Sequence, residues 1–364
     1  MRGTEELENV WGRGKLMRKF RDRDFIQTRE GFFFCVVGPF HPSDRVISYL
    51  KYVPSNLGVW GRRGKRFKRV MRAYTIPSLL ETFSLLERDH PHYLFYSPFY
   101  NITMTAVPHK YIVKHYKPEE KLAQLLQATH LDSLQKKLKR FASSLAEISG
   151  VSPGSLGVTG SILLNIHRPE FSDLDLTVYG LENSLAVKSA LTEAYSSLSF
   201  AIQRLEGEAL KAWCESKARS YPLTVEEASR IHQRKWNIGL FEGAPFSIHP
   251  VKLEQEVGEA YGENIYHPIA SVTIRAVVHD NTDAMFLPSL YRVQEVTIIE
   301  GPQVPDIREV VSYEGLYSDL AEAGELIMAR GKLERVLHKK TGQKHHRVLV
   351  GSPEGKGKEY IKPA

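Results

Sequence analysis

Gly160-Ser161 and Asp173-Leu174-Asp175 are the residues of this chain whose types and spacing point most directly to chemistry. They stand in GVTGSILLNIHRPEFSDLDLTVYG, residues 157–180. An apolar strand leads into the Gly-Ser pair, which opens a short helix, and the two aspartates follow on a second strand. Side chains alternate faces along a strand, so Asp173 and Asp175 share one face and Leu174 takes the other. Two carboxylates that close repel each other unless a cation lies between them. Mg2+ suits such a pair, since it takes oxygen ligands from one or two carboxylates plus substrate phosphates. The Gly-Ser turn offers backbone N–H groups and a hydroxyl where a phosphate would lie. Together these parts describe metal-assisted chemistry on a nucleotide. Taken singly, a D-x-D is weak evidence and a Gly-Ser weaker; their order and their strand–helix–strand setting carry the reading.

Gly-Ser, a short helix and D-x-D on a strand resemble the signature of the DNA polymerase beta-like nucleotidyltransferase superfamily, over roughly residues 130–255. The wider chain resembles an archaeal family of uncharacterised predicted nucleotidyltransferases, through FFFCVVGPFHPSDRVISYLKYVP, RKWNIGLFEGAPFSIHPV and MARGKLERV. The resemblance implies that Asp173 and Asp175 hold Mg2+ or Mn2+ and that Gly160 and Ser161 bind the phosphates of an NTP. Superfamily members commonly use two ions, one for the attacking hydroxyl and one for the leaving pyrophosphate. A third carboxylate usually completes their site, on a strand after the D-x-D. Here the sequence departs from the pattern, because APFSIHPV offers Ser247 and His249 in its place. Glu242, at the end of the preceding strand, is the nearest acid and a candidate catalytic residue. His249 could ligate a metal, act as a base, or be a buried or turn histidine before Pro250. Arg234 and Lys235, just before WNIGLF, are candidates for clamping a triphosphate, or else complete a helix end.

Composition sets the surroundings. At 364 residues, with 42% hydrophobic and 25% charged residues, the chain reads as a soluble globular protein of two or three domains. No apolar run approaches the roughly 20 residues that span a bilayer, and the first residues lack the apolar core of a signal peptide. The expected location is the cytoplasm, with no membrane partner. Cys35 and Cys214 are far apart and outside any CxxC, which excludes a disulfide scaffold or a cysteine-rich zinc site. Cys35, in FFFCVV, is expected in a core. The net charge of +7 concentrates in three clusters, at residues 62–69, 136–140 and 338–347. Each is either a solvated basic surface or part of a nucleic-acid grip. RNA is therefore the favoured acceptor, ahead of a small molecule or a protein.

The elements that must hold these residues follow from periodicity. Residues 1–23 lack a clear period and are expected to be loose, and residues 24–117 read as an N-terminal α/β domain. Within it, FIQTREGFFFCVVGPF reads as two strands, RVISYLKYVP as a third, GVWGRRGKRF as a basic turn-rich insert and IPSLLETFSLLERDHP as a helix. Residues 118–256 form the expected core. Lys117-Pro118-Glu119-Glu120 starts a helix, an amphipathic pair leads to Gly150, and helices fill residues 183–230. A hairpin surrounds Gly243-Ala244-Pro245. Residues 257–351 are β-rich with frequent turn signals, as in a small barrel or sandwich, and residues 352–364 read as a loose tail. The expected fold class is α+β: a polymerase beta-like core flanked by an α/β domain and a β-rich domain. The expected function is transfer of an NMP from an NTP to an acceptor hydroxyl, with release of pyrophosphate. The alternative is an inactive nucleotidyltransferase fold serving as a nucleic-acid-binding module.

Overall fold

The computed structural model describes residues 18–62, 64–71, 73–197 and 201–364, with Arg62 described in its backbone only. Residues 1–17 of the expected loose start, and Arg63 of the first basic cluster, lie outside them. The described chain is a mixed α+β protein with three sheets and seven α-helices.

The first sheet is antiparallel. Its strands are β1 (Phe25–Thr28), β2 (Phe33–Val36), β3 (Arg45–Pro54), β4 (Trp60–Arg62), β5 (Lys65–Arg69), β6 (Leu94–Ser97), β7 (Ile102–Pro108) and β8 (Ile112–Tyr116). They run β4-β5-β3-β2-β1-β8, with β7 also on β3 and β6 on β7. The basic insert is thus a hairpin of the sheet, with Trp60 opposite Phe67. Helix α1 (Ile76–Asp89) starts where the Thr75 side chain accepts from the Ser78 N–H, and ends before Pro91. Its Leu86 enters a core with Phe34, Leu50 and Tyr93. Strand β3 therefore spends Leu50 on that core.

The central sheet is mixed. After α2 (Pro118–Gln127) and α3 (Ser133–Ser149) come β9 (Leu156–Val158), α4 (Gly160–Leu163) and β10 (Leu174–Tyr179). Helices α5 (Leu181–Ser196), α6 (Gly207–Ser220) and α7 (Val225–Arg234) follow, with β11 (Ile202–Gln203), β12 (Ile238–Phe241) and β13 (Ala244–Val251). The strand order is β11-β12-β13-β10-β9, with β10 and β13 parallel. A reciprocal cap of Asp132 with Gln135 starts α3, and Gly150 ends it at φ +68°; such a cap contributes about 1 kcal/mol. Leu174, Leu176 and Val178 bury one face of β10 against α3 and α5, where Phe141 packs on Phe241 and Phe246. Burying each such side chain stabilises by about 1.5–3 kcal/mol. Alternation then forces Asp175 to the opposite face.

The third sheet holds β14 (Asn264–Asp280), β15 (Ser289–Glu300), β16 (Ile307–Ser312), β17 (Leu326–His338), β18 (Lys344–Val350) and β19 (Tyr360–Pro363). The order β14-β15-β16-β18-β17, with β14 also paired to β17, closes five strands into a barrel. Two expectations fail here. The tail is not loose, because Tyr360–Pro363 extends the barrel as β19 on β17. Residues 18–23 are anchored as well: Arg18 pairs with Asp24 and Glu119, and Arg21 with Glu254. Among the described residues no helix is long and apolar enough to cross a membrane.

Candidate functional site

Asp175 projects from β10 into a cavity of about 800 Å3, and the walls of that cavity come from all three sheets. Asp173, just before the strand, lines it too, as do Ser161, Ser247 and His249. Each has a local reason to be there. Gly160 takes φ +67°, and a Cβ on it would fall inside van der Waals contact of Asp175 Oδ2. The glycine is therefore required both by its backbone conformation and by the carboxylate packed against it. The Thr159 N–H donates to the Asp175 carbonyl at 2.9 Å, which holds the turn to the strand.

Strand β13 supplies the next pair. In the parallel register Asp175 lies opposite Ser247, and Thr177 opposite His249. Phe246 and Ile248 go to the core, so Ser247 and His249 face the cavity side. Ser247 Oγ–H donates to Asp175 Oδ1 at 2.6 Å, and His249 Nε2 lies 2.9 Å from Ser247 Oγ. A serine hydroxyl has one proton, so His249 must donate from Nε2. The chain His249–Ser247–Asp175 thus fixes the carboxylate. Burial, with Arg23 and Lys51 nearby, holds the His249 pKa well below its usual value, so the imidazole is neutral. These two residues occupy the strand on which the superfamily's third acid was expected.

The opposite wall is basic and comes from the first sheet. Lys51 on β3 is 5% exposed, with its ammonium 5.2–5.7 Å from the rings of Phe25, Tyr52 and Tyr74. Arg69 on β5 stacks over Tyr74 at 5.1 Å and donates from Nε to the Met71 carbonyl. Among the described residues, neither Lys51 nor Arg69 has a carboxylate within ion-pair distance, and neither Asp173 nor Asp175 has a cation within it. The two sets nevertheless feel each other. Burial and the Asp175 charge push the Asp173 pKa up to about 6, against the pull of Arg69 and Lys51. Burial raises the Tyr74 phenol, but Lys51 and Arg69 outweigh it and leave the pKa below its usual value. Arg23, half-buried and at φ +69°, adds a third cation beside Asp22, with Nε 3.2 Å from Asp22 Oδ2. Strain of that kind is typical of functional sites.

The structure separates the other expected residues from this group. Glu242 sits at the tip of the β12–β13 hairpin at φ +46°, outside the cavity lining, where Arg140 binds its carboxylate and Lys137 its carbonyl. The hairpin turn, not the cavity, explains it. Arg234 binds Glu325 and the Leu320 carbonyl, and it does not line the cavity. Lys235 reaches the cavity wall, but its ammonium donates to the carbonyls of Gly315 and Ser318 and to Ser318 Oγ. Burial lowers its pKa to about 7. Both side chains dock the last helix turn against the barrel. Lys51 and Tyr74 escaped sequence reasoning, and Arg69 entered it only as part of the basic cluster at 62–69. The available signal was a lysine at the same parity as Tyr49 in the otherwise apolar strand RVISYLKYVP.

The basic clusters are partly consumed inside the fold. Arg347 is buried against Glu334, Lys340 pairs with Glu263, and Lys139 donates to the Leu126 carbonyl. No family model matches the chain, and no solved structure matches it. It is similar to "Uncharacterized protein MJ1086" of Methanocaldococcus jannaschii, 29% identical over 347 residues that cover 94% of this chain and 99% of that protein. The likeness to an archaeal protein of uncharacterised function therefore extends over nearly the whole chain.

Proposed function

We propose that the protein is a divalent-metal-dependent nucleotidyltransferase that moves an NMP from an NTP to an acceptor hydroxyl and releases pyrophosphate. One observation carries the reading: two acids and two cations face one cavity without pairing to each other. Left so, Lys51 is buried with no counter-ion among the described residues, and the two neighbouring carboxylates repel each other; both arrangements cost free energy. A metal-bound triphosphate would resolve both deficits, with its cation toward Asp173 and Asp175 and its phosphates toward Lys51 and Arg69. The raised Asp173 pKa fits this, because a carboxyl beside another carboxyl lacks the cation that would keep both ionised.

In this reading Asp173 and Asp175 hold Mg2+ or Mn2+, which when bound neutralises charge on the transferring phosphate. Gly160 lets the backbone approach the phosphates and Ser161 offers a hydroxyl. Tyr74 and Arg69 frame the opposite side. Ser247 and His249 hold Asp175 in one orientation; His249 is a positioning residue, since its Nε2 proton is committed to Ser247. The acceptor enters the same cavity, so it is a small alcohol or the terminal hydroxyl of a longer molecule such as RNA.

A second reading is favoured by Ser247 standing where an acid was expected: a nucleotidyltransferase fold without catalysis that binds nucleic acid. The test is incubation with each α-labelled NTP, Mg2+ or Mn2+, and either pooled RNA or a panel of small alcohols. Label transfer with pyrophosphate release supports the enzyme. NTP-independent RNA binding without transfer supports the second reading.

A further inference from the structure

The structure assigns a second metal site, built for a transition ion of the zinc class, to Glu30, His90 and His92 in the first sheet. Glu30 lies in the turn between β1 and β2, and His90-Pro91-His92 links α1 to β6. One ligand atom from each residue lies within 4.8 Å of the other two, and among the described residues this is the only such set of three. None of the three lines the large cavity.

The side chains are held as metal ligands are held. Tyr93 Oη donates to Glu30 Oε2 at 2.6 Å, fixing the carboxylate from behind. The Phe32 ring packs edge-on against His90 at 4.8 Å, and Tyr111 stacks on His92 at 4.3 Å. Direct pairing does not account for the cluster. Glu30 Oε1 lies 3.9 Å from His92 Nε2, too far for a hydrogen bond, and that nitrogen is buried without a partner. Zinc–ligand bonds of about 2.0–2.2 Å in a tetrahedron put donor atoms about 3.3 Å apart. Closing from the present spacing takes less than about an ångström of movement per side chain. Two imidazoles and one carboxylate suit zinc and its neighbours rather than Mg2+, which prefers oxygen alone. Three protein donors leave one tetrahedral position for water. Such an ion would staple the β1–β2 turn to the end of α1, whose first turn lines the cavity through Ile76.

The test uses the full chain, stripped with chelator and kept in excess Mg2+, titrated with ZnCl2 in a calorimeter. Wild type takes up one Zn2+ per chain and melts at a higher temperature with it. The Asp173→Asn/Asp175→Asn variant binds zinc equally well. Tyr93→Phe weakens zinc about 10–100-fold, the usual loss for a residue that orients a ligand. Glu30→Gln and His92→Ala lose it, and circular dichroism checks that both are folded; Glu30→Gln, nearly isosteric, keeps the question answerable if His92→Ala unfolds. In Co2+-loaded wild type, tetrahedral d–d absorption bands appear and are absent in Glu30→Gln. Absence of saturable zinc binding by wild type would overturn the assignment. So would affinity unchanged in Glu30→Gln, or lost only with the two aspartates.

Discussion

The two walls of the cavity were made in different ways. The acidic wall is compact in sequence: Gly160, Ser161, Asp173 and Asp175 come from one strand–turn–strand unit, with Ser247 and His249 on the adjacent parallel strand. The basic wall is dispersed over Lys51 and Arg69, on paired strands of an antiparallel sheet, Arg23 in the turn before β1 and Tyr74 in the bend before α1. The acidic wall owes its geometry to hydrogen bonds, through Ser247 to Asp175 and through Thr159 to the strand. The basic wall owes its geometry to aromatic packing, with Lys51 and Arg69 laid against tyrosine and phenylalanine rings. Apart from Arg23, which pairs with Asp22, neither wall answers its own charge. That complementarity is what a ligand carrying both a cation and phosphates would use.

The largest expected effect breaks the acidic wall. Asp173→Asn combined with Asp175→Asn should reduce Mn2+ affinity at this site a hundredfold or more, since each charged interaction contributes about 1.5–3 kcal/mol. Calorimetry in a Glu30→Gln background isolates the site. The fold should persist, because the variant removes a repulsive pair. Unchanged Mn2+ binding would remove the metal from the account.

Breaking the basic wall comes next. Lys51→Met should weaken NTP binding about tenfold or more while leaving the melting temperature equal or higher, because it replaces a buried charge that has no carboxylate partner. A structural lysine would behave the opposite way, with stability lost and NTP affinity kept. Gly160→Ala sharpens the contrast from the other side. Its Cβ would displace the Asp175 carboxylate, and the left-handed backbone adds about 1–2 kcal/mol of strain. Both Mn2+ affinity and melting temperature should fall.

Much of the acidic wall was legible in the sequence, because its residues are neighbours along the chain and their spacing follows strand alternation. Strand Arg45–Pro54 and helix Ile76–Asp89 were legible for the same reason: each has a clear period and a stop. Apart from Arg69, which stands in the basic cluster at 62–69, the basic wall was not legible, since its members are far apart in sequence and meet only through the pairing of β3 with β5 and the turns beside that sheet. Lys51 belongs to no motif, and only the placement of Leu50 in the core under α1 turns it toward the cavity. Glu242, Arg234 and Lys235 misled for the converse reason. Their sequence neighbours are site strands, but a hairpin tip and contacts with the barrel consume them. The tail escaped because GSPEGKGKEYIKPA has too short a β-pattern to show itself without the partner strand β17.

Smaller effects refine the acidic wall. Ser247→Ala should cost Mn2+ binding about fivefold, equivalent to about 1 kcal/mol for one hydrogen bond, and His249→Gln less. The pH dependence has a defined sign. The Asp173 pKa rises from 3.8 to about 6 in the folded protein, so the folded state holds the proton more tightly than the unfolded chain. Metal-free stability should therefore decline as pH rises from about 4 to about 6 and level off above that, and Asp173→Asn should flatten this slope in melts across pH. Mn2+ affinity should move the other way, falling as pH drops below about 6.

The most direct test of the central claim is calorimetric binding of a non-hydrolysable NTP analogue, with Mn2+ and then with chelator. The account predicts one NTP per chain in Mn2+, abolished by chelator and by Asp173→Asn/Asp175→Asn, and weakened by Lys51→Met. Equal binding in chelator, or no NTP binding by wild type in Mn2+, would contradict it.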